Sequence, residues 1–225
     1  MGAPKGNGGT TVLVAGAGFA GLASAYWMNQ LGYDVTVAEA APGIRTGGTA
    51  VNIRGATIDV VKRMGIFDEV RANRLSLKRW DFKTADDRTV RSLELRADGE
   101  PPPDDDYEIE RDVLMRILLD TVRGRCEIRF GDRVVGLRHA EGGETDRVDV
   151  VFKTAAGRAF DLVLGCDGTH SGVRRLWFGE ESQYVHDLQQ YFSVTIADKL
   201  LIERDTAQLY NEPGKAVMLN AYKDR

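Results

Sequence analysis

Residues 10–39 read TTVLVAGAGFAGLASAYWMNQLGYDVTVAE, and this stretch decides the fold. The apolar run Val12–Ala15 predicts a parallel β-strand that is buried on both faces. The uncharged segment Phe19–Leu31 is long enough for an α-helix that ends at Gly32. Residues 34–39 (DVTVAE) predict a second strand. Strand, helix and strand in this order form a βαβ unit, so the chain is expected to have an α/β fold with a parallel sheet.

Three glycines, Gly16, Gly18 and Gly21, follow the first strand with the spacing G-x-G-x-x-G. A dinucleotide pyrophosphate can bind the backbone N–H groups of a helix N-terminus, where the helix dipole favours anions. The first glycine then permits the tight turn, the second leaves room for the phosphates and the third lets the helix pack on the strand. Glu39 ends the second strand, where a carboxylate can bind ribose hydroxyls. These four residues predict a Rossmann-like site for NAD, NADP or FAD; the alternative is a turn used only for packing.

The composition argues against several classes of function. A formal net charge of −4 and a pI near 5.5 provide no electrostatic basis for binding nucleic acid or an anionic membrane. Cys126 and Cys166 lack a C-x-x-C spacing, which predicts two reduced, buried thiols in a cytoplasmic protein and no metal site. The uncharged stretch between Lys5 and Asp34 could resemble a membrane span, but the spaced glycines and the strand that follows argue against one.

Two arginines in the middle of the chain are candidates for contact with an anion. Residues 40–55 form a glycine-rich loop whose Arg45 could face a phosphate or a ring edge, or could simply be exposed. Residues 56–64 and 107–122 have the apolar spacing of helices. Arg111 lies near the start of the second helix, where the dipole disfavours a cation unless an anion faces it.

Strand patterns account for most of the remaining chain. Residues 75–95 predict two antiparallel strands, and the acidic, proline-rich residues 98–106 predict an exposed loop. Residues 189–222 also have strand patterns. The apolar run 162–164 predicts that the chain returns to the parallel sheet.

Residues 161–175 read DLVLGCDGTHSGVRR and contain a second turn of interest. Asp167 and Gly168 form a turn dipeptide directly after the predicted strand, and Ser171 can cap a helical turn that follows. Many such dipeptides do nothing more than turn the chain. Because ligands of open α/β sheets bind outside the carboxyl ends of the strands, this turn is expected to face the same crevice as Gly16–Gly21.

Taken together, these motifs resemble the class A flavoprotein monooxygenases, the family of p-hydroxybenzoate hydroxylase and the aromatic polyketide hydroxylases. The resemblance covers nearly the whole chain, and GCDGTHSGVR is its most specific part. It implies a bound FAD with its pyrophosphate at Gly16–Gly21, its adenosine ribose on Glu39 and Arg111 near the ribose and pyrophosphate. Asp167 and Gly168 would belong to the family's DG motif, which serves FAD and is linked to NAD(P)H use.

The resemblance also implies an activity. NAD(P)H would dock transiently, reduce the flavin and leave, after which molecular oxygen would form a C4a-hydroperoxyflavin that hydroxylates an aromatic or polyketide-like small molecule. The three histidines form no triad with a serine motif, so no catalytic residue is assigned. The alternatives are a non-catalytic or split-subunit FAD-binding module, and an FAD-dependent reductase or dehydrogenase of similar fold.

The implied organisation is a flexible tail followed by two discontinuous domains. The tail is residues 1–9, the Rossmann-like FAD-binding domain is 10–74 with 107–180, and a partial substrate domain with an antiparallel sheet is 75–106 with 181–225. The family's third motif, a Gly-Asp beyond the DG motif, is not found in these residues. We therefore expect that the chain is truncated, that a second chain completes the FAD site, or that FAD binds differently.

Overall fold

A computed structural model of the chain describes residues 9–97, 100, 104–140 and 146–222. Within these residues there are five α-helices and fourteen β-strands. The helices are α1 (Phe19–Gln30), α2 (Ala56–Arg63), α3 (Phe67–Ala72), α4 (Arg111–Val122) and α5 (Gly172–Trp177). The strands are β1 (Thr11–Ala15), β2 (Asp34–Glu39), β3 (Val51–Arg54), β4 (Arg74–Leu75), β5 (Arg79–Lys83), β6 (Thr89–Glu94), β7 (Asp106–Ile109), β8 (Glu127–Phe130), β9 (Val134–His139), β10 (Val148–Phe152), β11 (Arg158–Phe160), β12 (Leu162–Gly165), β13 (Thr206–Glu212) and β14 (Lys215–Ala221).

The chain divides into two compact units. The first unit is Met1–Thr46 with Met115–Tyr191, and the second is Gly47–Leu114 with Phe192–Arg225. One boundary between them therefore falls inside α4.

The first unit is built on a parallel sheet with the strand order β12-β1-β2-β8. Val12, Leu13 and Val14 in β1 have no exposed surface, which agrees with a central strand covered on both faces. The predicted βαβ unit and the return of the chain at residues 162–164 are both confirmed. Leu162 is nevertheless 40% exposed, because β12 is the outermost strand of this sheet in the described part of the chain.

A second, antiparallel sheet of the first unit has the order β11-β10-β9. Its buried side chains Val150, Phe152 and Phe160 share one apolar cluster with Leu13 of β1 and Val173 of α5. Complete burial of a side chain of this size stabilises a fold by roughly 1.5–3 kcal/mol. The cluster therefore holds α5, and the turn before it, to the end of the parallel sheet.

The second unit contains two sheets, with the orders β14-β13-β5-β6 and β3-β7-β4. The predicted strand pair at residues 75–95 is the β5–β6 hairpin, and β13 and β14 form another hairpin. The pairings are antiparallel except for β13 with β5, which is parallel.

Three predicted segments are wrong in part. Residues 51–54 form β3 rather than loop, and residues 107–109 belong to β7 rather than to a helix that starts there. These two strands pair with each other across a long sequence separation, which a local helical pattern does not reveal. Residues 189–197 form no strand, and Tyr191 is 92% exposed, so no neighbouring strand covers it.

Two other predictions fall partly outside the described residues. They are the tail, of which residues 1–8 are not described, and the acidic loop, of which 98, 99 and 101–103 are not described. In the described part of the chain, no helix has the length and apolar character needed to cross a bilayer.

Candidate functional site

The first glycine of the G-x-G-x-x-G turn is required by both its conformation and its surroundings. Gly16 has φ +103°, which strains any residue with a side chain. A Cβ at this position would lie 2.5 Å from the carbonyl oxygen of Cys166 and 3.0 Å from the Cα of Asp167. The backbone of the turn therefore lies directly against the backbone of the DG segment.

The other two glycines differ sharply from each other. A Cβ on Gly21 would overlap the carbonyl oxygen of Gly16, so this glycine is needed to seat α1 against the turn. Gly18 has φ −78° and ψ −173°, which any residue can adopt, and no described atom lies within 4 Å of a Cβ built there. Because the fold itself does not require a glycine at 18, the open space beside it suits a ligand that approaches the backbone.

The N-terminus of α1 follows directly on Gly18, and its own first turn supplies no anionic side chain. Gly18 is the N-cap of the helix; among the described residues, no side chain caps it, and no acidic residue lies in its first turn. The first N–H groups of a helix and its dipole together favour an anion. The turn therefore fits a pyrophosphate.

The carboxylate of Glu39 lies beside the same turn. Its Oε2 accepts a hydrogen bond of 2.7 Å from the N–H of Ala17, and its Oε1 accepts one of 2.9 Å from the N–H of Ala41. These bonds hold the side chain at the carboxyl end of β2, where the sequence predicted a ribose-binding acid. Each carboxylate oxygen has a second lone pair that can accept a hydrogen bond from a hydroxyl group.

The carboxylate of Asp167 is engaged by the start of α5. It accepts hydrogen bonds from the hydroxyl of Ser171 at 2.5 Å, from the N–H of Gly172 at 2.7 Å and from the N–H of Val173 at 3.1 Å. Ser171 in turn accepts a hydrogen bond from the N–H of Arg174, as predicted for a helix cap. Asp167 thus shapes the turn through its side chain and leaves the backbone of the turn to face outward.

Gly168 completes the second turn. It has φ +86°, and no described atom lies within 4 Å of a Cβ placed there. A side chain would therefore be strained by the backbone conformation and would also project into open space.

The structure brings together the two turns that the sequence places about 150 residues apart. Adjacent strands β1 and β12 end in register, with Ala15 opposite Gly165, and the N–H of Cys166 donates a 2.8 Å hydrogen bond to the carbonyl of Ala15. Sequence reasoning missed Cys166, whose backbone carbonyl touches Gly16. Burial raises the pKa of its thiol, which argues against a nucleophile, so its contribution here is made by its backbone.

The two arginines proposed from the sequence have different surroundings. Arg45 is exposed, and its side chain forms no hydrogen bond or ion pair with the described residues. Arg111 is the first residue of α4, in the second unit, where a Cβ on Gly48 would lie 3.0 Å from its Cδ. The N–H of Gly47 donates a 2.8 Å hydrogen bond to Asp112. Sequence reasoning missed this contact, because Gly47 and Asp112 are 65 residues apart in the sequence and no local pattern links them.

The chain belongs to the FAD-binding domain family, whose family model, described as "FAD binding domain", matches residues 9–222. The chain is 37% identical to an uncharacterised protein of Mycobacterium tuberculosis, over 96% of the chain and 56% of that protein. It is 33% identical to a flavin-dependent monooxygenase of an unknown prokaryotic organism, over 95% of the chain and 54% of that protein. Among solved structures, tetracycline destructase Tet(51) is 28% identical with a TM-score of 0.74, over 94% of this chain and 53% of that one.

These similarities confirm the resemblance to the class A flavoprotein monooxygenases and the fold class that it implies. The chain spans about half the length of the curated relatives it matches. The glycine turn, the uncapped helix and the adjacent carboxylate agree with the cofactor of the family. The pyrophosphate of FAD suits the space beside Gly18, and its ribose suits Glu39.

Proposed function

We propose that this chain is the FAD-binding part of a monooxygenase that uses NAD(P)H and hydroxylates an aromatic or polyketide-like small molecule. The observation that carries the proposal is the open space at Gly18, at the start of a helix that has no side-chain cap and no acidic residue in its first turn among the described residues, in a chain with monooxygenase relatives. When bound, FAD would supply the redox chemistry that links NAD(P)H and molecular oxygen to the substrate.

The residues of the chain would bind and orient the cofactor. The N–H groups at the start of α1 would hold the pyrophosphate, and Gly18 would admit it. Glu39 would accept hydrogen bonds from the ribose hydroxyls while its bond to Ala17 keeps the turn in place. Asp167, through its bonds to α5, would present the backbone of the DG turn, with Gly168 leaving it uncovered.

Other assignments belong to the same proposal. Arg111 would contact the ribose and pyrophosphate, as the resemblance implies. Arg45, which is exposed, would face a phosphate or a ring edge of the bound cofactor. The FAD-binding domain would comprise residues 10–74 and 107–180, with 75–106 and 181–225 in the substrate domain. We also propose a cytoplasmic location, supported by the two free cysteines.

The test is to incubate the purified chain with FAD, remove unbound flavin by gel filtration and record the visible spectrum. Retained flavin supports the proposal, and a colourless protein contradicts FAD binding by this chain. NADH and NADPH oxidation is then followed with and without tetracycline, a probe suggested by the name of one structural relative. Incorporation of ¹⁸O from ¹⁸O₂ into the product identifies a monooxygenase. Oxidation without incorporation into tetracycline favours the reductase alternative, and bound flavin without oxidation favours the binding module.

A further inference from the structure

One hydrogen bond joins the two sheets of the second unit through a pair of ionisable side chains. The hydroxyl of Tyr222 donates a 2.7 Å hydrogen bond to Oε1 of Glu108, across 114 residues of sequence. Glu108 lies in β7 of the three-stranded sheet, and Tyr222 follows the last residue of β14 in the four-stranded sheet. Both side chains are partly buried, and neither belongs to the site described above.

The partners of this bond are held by the backbone on both sides. Glu108 is paired with Asn52 of β3 and with Leu75 of β4, so it lies in the middle of its sheet. Ala221, the residue before Tyr222, is 2% exposed, and its carbonyl accepts a 2.8 Å hydrogen bond from the N–H of Asp205. The contact therefore joins a central position of β7 to the residue directly after β14, and the neighbouring backbone is hydrogen-bonded on both sides.

The surroundings of Glu108 and Tyr222 raise the pKa values of both side chains. Burial raises the pKa of Glu108, and the charge of Asp106 on the same strand raises it further, whereas the bond from Tyr222 lowers it. Burial and the Glu108 carboxylate both raise the pKa of Tyr222. The tyrosine therefore keeps its proton and donates a hydrogen bond to Glu108, and this bond is charge-assisted when Glu108 is ionised.

Glu108 also lies close to a predicted cofactor residue along the chain. Strand β7 ends at Ile109, and α4 begins at Arg111, so a single residue, Glu110, separates them. A short connection of this kind transmits the position of the strand to the first turn of the helix. Gly47 and Gly48 pack on that same turn.

We propose that Glu108 and Tyr222 are a positioning pair that fixes the β7–α4 junction, and with it Arg111, relative to the β13–β14 hairpin. This inference rests on the proposed function insofar as Arg111 contacts FAD. It assigns no contact with the cofactor to Glu108 or Tyr222 themselves.

The test compares Tyr222→Phe, Glu108→Gln and the control Tyr210→Phe. Tyr210 is a tyrosine of the same hairpin whose hydroxyl bonds to Glu212 at 2.9 Å. At pH 7.5, Tyr222→Phe leaves a partly buried carboxylate without its donor, which should loosen the β7–α4 junction that positions Arg111. FAD binding should therefore weaken about tenfold. Glu108→Gln keeps an acceptor for Tyr222 and should change the affinity less than about threefold. Tyr210→Phe should match the unmodified chain.

Two further measurements distinguish positioning from general destabilisation. FAD affinity of the unmodified chain should fall by no more than about threefold as Glu108 is protonated, which is the limit expected for Glu108→Gln at pH 7.5, because both changes remove the charge of the bond and keep an acceptor. Glu108→Gln should lack this pH-dependent component. Hydrogen exchange of the backbone amides in residues 106–114 should speed up in Tyr222→Phe and not in Tyr210→Phe.

Equal FAD affinities, equal pH profiles and unchanged exchange in these variants would overturn the inference. If the unmodified chain binds no FAD, the proposed function fails on its own. The exchange measurement then decides the inference: faster exchange confined to Tyr222→Phe supports the junction, and unchanged exchange overturns it.

Discussion

Substitution of Gly18 by alanine separates the fold from cofactor binding more cleanly than any other change in the glycine turn. No described atom lies within 4 Å of a Cβ at Gly18, and its φ of −78° suits alanine. The added methyl group would fill the space assigned to the pyrophosphate. Gly18→Ala should therefore fold normally and bind FAD much more weakly.

The effect on stability is the sum of two small and opposing contributions. Replacing glycine by alanine at a compatible backbone position stabilises a protein by roughly 0.4–1 kcal/mol through the unfolded chain. Alanine is a poorer N-cap than glycine, which costs a similar amount, up to about 1 kcal/mol. The free energy of unfolding should therefore change by less than about 1 kcal/mol, which for a chain of this size is a change in Tm of roughly 2–4 °C at most.

The effect on FAD binding should be much larger. Displacing the pyrophosphate would cost about two hydrogen bonds between backbone N–H groups and a charged ligand, each worth roughly 1.5–3 kcal/mol. The Kd for FAD should therefore rise by roughly 100-fold or more. The Kd is measured by quenching of flavin fluorescence, and stability is measured by urea unfolding followed by circular dichroism.

Gly21→Ala is the matched control, because its Cβ would overlap the carbonyl oxygen of Gly16. It should lower the free energy of unfolding by roughly 1–3 kcal/mol or more, through overpacking. A Gly18→Ala chain that binds FAD as tightly as the unmodified chain would refute the placement of the pyrophosphate. A Gly18→Ala chain that unfolds as readily as Gly21→Ala would refute the argument that this position is open.

Three further predictions concern the first unit. Ser171→Ala removes the cap of α5 and the donor to Asp167, and should lower the free energy of unfolding by about 1–2 kcal/mol in urea. Ser171→Thr keeps a hydroxyl and should retain most of the stability of the unmodified chain. Hydrogen bonds from Thr11 and the charge of Arg147 lower the pKa of Asp161 in the folded chain. Above the unfolded-state pKa near 3.8, the ionised carboxylate therefore stabilises the fold, and this stabilisation is lost as the pH falls through the lower pKa of the folded state. Asp161→Asn should therefore flatten the decline of Tm between pH 5 and 2, and an unchanged slope would contradict the assignment. Burial raises the pKa of Cys126 to about 11, so roughly one thiol in a thousand is ionised at pH 8. Its reaction with DTNB should therefore be slow until urea is added. Rapid labelling of the folded chain would show that the thiol is accessible and ionised, and would contradict the prediction.

The N-terminal βαβ unit could be read from the sequence almost residue by residue. The predicted helix Phe19–Leu31 is α1 at Phe19–Gln30, and the predicted strand DVTVAE is β2 at Asp34–Glu39. Local signals suffice here because the strand is apolar throughout, the glycines end it and Gly32 ends the helix. The helical cap at Ser171 was also predictable, since a cap depends on only a few neighbouring residues.

Long-range pairing accounts for the features that could not be predicted. Residues 107–109 carry a pattern that also suits a helix, and only the partner strand β3 makes them a strand. The same holds for residues 189–197, whose alternating pattern predicts a strand although no described strand pairs with them. A strand requires a neighbour, and the position of that neighbour is not encoded in the local pattern.

The sequence by itself determined that the chain contains a dinucleotide-binding βαβ unit, a second turn at Asp167 and the motifs of a flavoprotein family. Those features depend on spacing within short segments, which the chain carries locally. Only the tertiary structure decided that the backbone of Cys166 touches Gly16, that the carboxylate of Asp167 is occupied by α5 and that Gly18 borders open space. These facts arise where β1 and β12 end side by side, and the distance between two such ends is set by the packing of the sheet rather than by either segment alone.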